Sequence, residues 1–180
     1  MRQSKINSTT GSEIVANSEM KNYLRVDHNI DDTLISEMVT QSRQYLENYI
    51  SRDIVAKTRT YYLDTSDGVI NIPFGPVASI ESVTVAGTAA THTVVGLDKE
   101  TIELDSQPSY VVNNRLPGQY EKVKINYTTA GLADKLLKNS IMQMVSTLYD
   151  NRTDFKSGTT VIELPTQSKK LIDSYKSMFV

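Results

Sequence analysis

Two stretches carry a helical apolar stripe. In Ala130–Arg152, Leu132, Leu136, Leu137, Ile141, Met144, Val145 and Leu148 recur at three- and four-residue steps, with Asp134, Lys135, Lys138, Asn139 and Gln143 between them. One apolar stripe with a polar back predicts a helix over 132–150. The second stripe, over 30–50, consists of Ile30, Leu34, Ile35, Met38, Val39, Tyr45, Leu46, Tyr49 and Ile50. Asn29 is placed to cap it, and Asp31 and Asp32 fall in its first turn, where carboxylates favour the positive end of the helix dipole. Ser42 interrupts the stripe, as a small residue does at a close crossing. A shorter helix is expected over 19–25, capped by Ser18, with Met20, Tyr23 and Leu24 on one side.

Between the long helices the period drops to two. Ile54–Asp64 is rich in β-branched and aromatic residues, and Thr65-Ser66-Asp67-Gly68 is a turn signal. Val69–Ile72 alternates, Pro73-Phe74-Gly75-Pro76 breaks the pattern, and Val77–Ala86 alternates again up to Gly87. Thr91–Val95 and Thr101–Leu104 are shorter strands joined by Gly96-Leu97-Asp98-Lys99. Residues 105–119 read as a long hairpin loop with at most a short strand at 110–112. Tyr120–Thr128 is the cleanest strand, with Val123, Ile125 and Tyr127 on one face. Strands that follow one another directly imply an α+β fold: an antiparallel β-sheet or sandwich flanked by two long helices.

The ends read differently. Residues 1–17 are polar and are expected to form a flexible N-terminal arm. The main domain is expected over 18–153, with helices 19–25, 30–50 and 132–150 around strands 54–128. Residues 154–180 read as an extended C-terminal docking tail whose short helix starts just past Pro165. That helix carries Tyr175, Met178 and Phe179 beside Lys169, Lys170 and Lys176, and it is too short to have a core of its own. Either it folds back on the domain or it docks on a partner.

Composition narrows the function more than it specifies it. The chain has 180 residues, 39% hydrophobic and 22% charged, with a formal net charge of -2. No basic run of five or more residues advertises nucleic-acid binding. The absence of cysteine excludes disulfides and thiolate chemistry. No apolar run of 18 residues suggests a membrane span, and no secretory signal is read at the N-terminus. His28 and His92 lack the spacing of a metal site. Asp27, Asp31 and Asp32 are explained by the helix start, and Asp64–Gly68 by a turn. No phosphate-binding glycine loop or nucleophile elbow occurs, so no catalytic residue, metal or cofactor is expected. Ten tyrosines stand against three phenylalanines and no tryptophan. Tyr45, Tyr49, Tyr127 and Tyr149 are expected to roof the core with their hydroxyls at its edge.

An ordered set of motifs resembles the gp6-like phage head–tail connector (adaptor) family. Glu19-Met-Lys-Asn-Tyr-Leu-Arg-Val-Asp27 is similar to the family's short helix ending in Leu-Arg-Val/Ile-Asp. Asp31-Asp32 and a helix ending Tyr45-Leu-Glu-Asn-Tyr49 follow. Gly68-Val-Ile-Asn-Ile-Pro73 and Pro76-Val-Ala-Ser-Ile-Glu-Ser-Val83 resemble its paired strands. Val123–Gly131, Leu148–Arg152 and Leu164-Pro165 ahead of Leu171–Tyr175 complete the series, which covers about residues 18–176. The chain departs from the family in its longer polar arm before Ser18 and its relatively short loop at 105–119.

The resemblance implies a structural virion protein without enzymatic activity. It implies a homo-oligomeric ring of about twelve copies beneath the portal, extending the DNA channel and offering the tail attachment site. The implied partners are the portal protein, the next tail or stopper protein, and double-stranded DNA passing through without specific binding. No membrane is involved, and assembly occurs in the host cytoplasm. On that reading Leu164, Leu171, Tyr175, Met178, Phe179, Lys169 and Lys170 dock on the portal or a neighbouring subunit. Asn113, Asn114, Arg115 and Asp67 face the lumen or the tail-side rim, and Tyr45, Tyr49, Tyr149 and Arg152 lie at a subunit interface. The alternative is a small β-rich sugar- or peptide-binding module with the tyrosine-rich face as its platform.

Overall fold

A computed structural model describes residues 2–64, 66–105, 123–151 and 166–176. The chain forms two compact units, each made of two separate segments: residues 1–11 with 55–131, and residues 12–54 with 132–180.

In its described residues the first unit is built of β-strands and their connections. A five-stranded antiparallel sheet runs in the order β1 (Arg2–Thr9), β2 (Lys57–Leu63), β8 (Val123–Thr129), β4 (Val77–Val85) and β5 (Thr88–Ala89). A three-stranded antiparallel sheet runs β3 (Val69–Asn71), β7 (Thr101–Leu104), β6 (His92–Val95). The expected alternation holds best in β8, where Val123, Ile125 and Tyr127 are buried and Lys124, Asn126 and Thr128 are not. Both sheets feed one core, which joins Tyr61, Leu63, Val83, Ile125 and Tyr127 to Ile70, Ile102 and Leu104. Each fully buried large apolar side chain there contributes about 1.5–3 kcal/mol. Tyr127 is completely buried and donates its hydroxyl to the Pro73 carbonyl at 2.8 Å, the roofing role expected of it. The turn between β4 and β5 places Ala86 (φ 49°) and Gly87 (φ 83°) in the left-handed region, as a two-residue hairpin requires.

The segment expected to be a flexible arm differs: Arg2–Thr9 is an edge strand paired antiparallel with Lys57–Leu63. Its eight residues are all exposed, so no apolar alternation marks it. Main-chain pairing and a polar chain across four strands hold it instead. Asn7 donates to Thr60 Oγ1 at 2.8 Å, Thr60 to Asn126 Oδ1 at 2.7 Å, and Asn126 to Ser82 Oγ at 2.8 Å. Beyond β1 the backbone N–H groups of Thr10 and Gly11 both reach the Ala56 carbonyl, at 2.9 and 3.0 Å. A Cβ at Gly11 would lie 2.9 Å from the Ala56 nitrogen, so this crossing needs glycine.

The second unit is helical: α1 (Asn17–Leu24), α2 (Asp32–Ile50), α3 (Lys135–Asp150) and α4 (Thr166–Ile172), the last continued by a 3-10 turn over Asp173–Tyr175. The buried face of α2 is Ile35, Val39, Ser42, Arg43, Leu46, Glu47 and Ile50. Ile30 falls outside this face, is 88% exposed, and precedes the helix, whose N-cap is Asp31 rather than Asn29. α3 starts three residues later than expected. Asp134 is its N-cap, accepting the Leu136 N–H at 2.7 Å, which leaves Leu136 on the wet side. α1 and α2 end on non-glycine residues in the left-handed conformation, Arg25 (φ 58°) and Ser51 (φ 54°).

A buried ion cluster ties the segment before α1 to α2. Arg43 lies 2.8 Å from both Glu13 Oε2 and Glu47 Oε2, Thr40 donates to Glu13 at 3.1 Å, and the Ile54 N–H reaches Glu47 at 2.9 Å. Burial works against the Arg43 charge, but the hydrogen bonds and charges of Glu13 and Glu47 outweigh it and hold its pKa above the ordinary arginine value. Lys138 pairs with Glu19 at 2.6 Å, linking α3 to α1.

Candidate assembly surfaces

The terminal helix folds back within its own unit. Ser168 and Ile172 are buried, and the Ser140 hydroxyl on α3 donates to the Ser168 carbonyl at 2.6 Å. At the next turn Tyr49 on α2 donates to Asp173 Oδ1 at 2.5 Å. Lys169 sits 5.1 Å from the Tyr45 ring and 5.6 Å from the Tyr49 ring, and Lys176 sits 5.0 Å from the Tyr49 ring, both within cation–π range. Tyr175 hydrogen-bonds the Asp134 carboxylate, the same group that caps α3.

These contacts move the titrations of their members. The bond to Asp173 pushes the Tyr49 phenol above its ordinary value, and the bond to Asp134 does the same for Tyr175. Asp134 is held below the usual carboxylate value, first by the Leu136 N–H and then by Tyr175. Of the expected docking residues, Leu171 remains on the surface (37% exposed), Lys170 is exposed, and Lys169 and Tyr175 are half-buried in these contacts. The side chain anchoring the helix is Ile172, which is completely buried and is not among the expected docking residues.

Of the tyrosines expected at a subunit interface, Tyr45 is exposed, whereas Tyr49 and Tyr149 are partly buried and spend their hydroxyls inside the unit. Tyr149 donates to Asp31 Oδ2 at 2.5 Å. Asp32 pairs with Lys21 at 2.7 Å. The acidic group at the start of α2 is therefore used by helix-end and cross-helix contacts. Among the described residues no cluster of three or more His, Asp or Glu side chains could hold a metal ion, and no helix is long and apolar enough to cross a membrane.

In the β unit, Asp67 is exposed and forms a local turn, its carboxylate accepting the Val69 N–H at 3.3 Å. It lines the rim of an open cleft of about 580 Å³ that also borders Arg2, Tyr61, Leu63 and Val69. Leu164, Met178, Phe179, Asn113, Asn114, Arg115 and Arg152 lie outside the described residues, as does the expected strand at 110–112.

Taken as a class, this is an α+β protein with antiparallel sheets and a helical unit into which its own terminal helix packs. Residues 18–94 match the family described as phage gp6-like head-tail connector protein. The resemblance drawn from the motifs holds over that stretch. Three solved structures share the fold. A chain of "Neck of empty GTA particle computed with C6 symmetry" superposes with a TM-score of 0.71 at 16% identity, over 99% of this chain and 97% of that one. A chain of "Virion of native gene transfer agent (GTA) particle" gives 0.68 at 14% identity, over 98% and 96%. A chain of "Neck of native GTA particle computed with C12 symmetry" gives 0.60 at 15% identity, over 96% and 97%. No curated protein sequence matches the chain.

Proposed function

We propose that the protein is a structural head–tail connector: a non-enzymatic virion component that assembles as a ring between the portal and the tail and prolongs the DNA channel. The observation that carries this reading is the near-complete correspondence of the fold, over 99% of the chain, with a chain of a particle neck. The connector family match over residues 18–94 supports it independently. A closed ring needs heterologous contacts, in which one surface of each copy meets a different surface of the next. The net charge of -2 suits a wall that DNA slides past without adhering.

In this reading the exposed side of α4, with Leu171 and Lys170, together with the rest of the tail including Leu164, Met178 and Phe179, meets the portal or an adjacent subunit. Asp67 and the segment holding Asn113, Asn114 and Arg115 face the lumen or the next tail component. The test is particle assembly with the gene deleted, and with a chain truncated after Arg152. Both should yield DNA-filled heads without attached tails. Infectious particles of normal morphology from the deletion overturn the connector reading. The same result from the truncation alone overturns the docking role of the tail.

A further inference from the structure

Two strand edges of the β unit are left open by its own sheets, and they lie on opposite sides. Among the described strands β1 pairs only with β2, and β6 only with β7. β1 and β5 end the five-stranded sheet, and β3 and β6 end the three-stranded one. Arg2 and Val69 border the same cleft, so β3 lies beside β1. β5 leads through Ala90 and Thr91 into β6, which therefore borders the far side. The remaining edges are poor templates for a further strand. β3 has three residues and β5 two. The stretch of β4 that β5 leaves uncovered is bulged between Val77 and Ser79 and again between Ile80 and Ser82.

β6 lacks such protection. His92–Val95 keeps an unbroken register with β7 and carries neither proline nor lysine. The Asp105 N–H reaches the Thr91 carbonyl at 3.2 Å. Bonded and open positions alternate along an antiparallel pair, so Thr93 and Val95 turn their main-chain groups to β7, and His92 and Val94 turn theirs outward. β1 keeps an unbroken register from Arg2 to Ile6, with every side chain exposed. The two edges differ in charge. β1 carries Arg2 and Lys5 and no acid. Beside β6, Asp105 accepts the Thr93 hydroxyl at 3.3 Å, and the exposed Glu103 stands opposite Thr93 in the ladder. Neither β6 nor β7 carries a lysine or arginine.

We infer that the β1 edge of one copy adds to the β6 edge of the next copy, joining their sheets through main-chain hydrogen bonds. The inference rests on the ring reading and supplies one of its heterologous contacts. Edges on opposite sides of the unit add copies head to tail, whereas an edge that paired with itself would give two-fold dimers. Charge selects the mixed pairing. Two β1 edges would set Arg2 and Lys5 against their like, and two β6 edges would do so with Glu103 and Asp105. The mixed pair brings opposite signs together. Strand addition draws its affinity from the main chain, so it suits β1, whose only apolar side chain is Ile6.

A pair of full-length variants tests the edge. Val94→Pro removes an outward N–H that the chain's own sheet does not use, and Val94→Ala makes a similar cut in the side chain but keeps the N–H. Native mass spectrometry should show rings for wild type and Val94→Ala, and monomers for Val94→Pro with a circular dichroism melt like that of Val94→Ala. Rings that persist in a folded Val94→Pro overturn this contact and leave the ring reading standing. The absence of native cysteine allows a second measurement that does not depend on the proline variant folding. Lys5→Cys, enlarged by a tag, is mixed with Thr93→Cys and treated with a short bis-maleimide. The mixed-size product should predominate over both same-variant dimers. Same-variant dimers that equal or exceed it overturn the contact. A wild-type chain that stays monomeric at every concentration overturns both the contact and the ring reading.

Discussion

The hydroxyl of Ser140 donates to the backbone carbonyl of Ser168 at 2.6 Å, a buried bond spanning 28 residues of sequence. It fixes α4 on α3 at the point where Ile172 enters the core. Ser140→Ala leaves that carbonyl buried without its donor, at a cost of about 1–3 kcal/mol. Hydrogen exchange should rise across residues 166–176 while β8 stays protected. Unchanged exchange in that segment would show that the bond does not hold the helix.

The two tyrosine–carboxylate bonds make the same packing sensitive to alkali. Tyr49 and Tyr175 have folded pKa values raised above the unfolded one, so their stabilisation is complete below the ordinary phenol range and is lost as pH climbs through the raised values. Ultraviolet titration should show late-ionising phenols, and Tyr49→Phe and Tyr175→Phe should each remove one. Tyr61, raised mainly by burial, should persist in both variants. Loss of no late phenol in either variant contradicts the assignment.

Asp134 works at the opposite end of the scale. Its folded pKa is depressed, so the stabilisation it gives α3 is present above the unfolded carboxylate value and fades as pH falls through the folded one. The melting temperature of Asp134→Ala should therefore lie below wild type at neutral pH and converge with it in acid. A constant gap between the two curves argues against the cap.

Glu47 holds both Arg43 and the Ile54 N–H. Glu47→Ala removes one side of a buried ion pair and should cost about 3–5 kcal/mol in chemical denaturation. Glu13→Ala should cost less, because Glu13 is more exposed than Glu47. The reverse order would assign the cluster's weight to the wrong carboxylate.

In the β core, Ile125→Ala should cost about 2–5 kcal/mol, since Ile125 is completely buried in the central strand β8. Ile6→Ala on edge strand β1 should stay within about 0.5 kcal/mol, because half its surface is already in water. Comparable losses at both sites would contradict the β1 edge position.

The readable parts of the chain are those where burial alternates with a fixed period. Val123, Ile125 and Tyr127 announce β8, and the α2 and α3 stripes announce helices, because each side chain's environment repeats along one element. β1 was hidden because its strand state is set by β2, some fifty residues away, and only Ile6 among its eight residues is apolar. The starts of α2 and α3 were misplaced because Ile30 and Leu132 continue a stripe that the caps Asp31 and Asp134 cut off.

The assembly surfaces were legible only in outline. The short terminal helix was visible, but its anchor Ile172 and the partners Ser140, Tyr49 and Asp134 come from elements far away in sequence. Arg43 and Glu47 did leave a local trace: an ion pair at i, i+4 placed in the buried stripe. Periodicity alone does not single it out, because charged residues on a buried face interrupt the apolar stripe.

The most direct test of the connector account is a cryo-EM map of the neck of particles that contain this chain. The account expects a ring of copies between portal and tail, each copy fitting the five-stranded sheet and the helices with α3 and α4 in register. A neck built without this polypeptide, in particles that assemble and carry their tails normally, contradicts it.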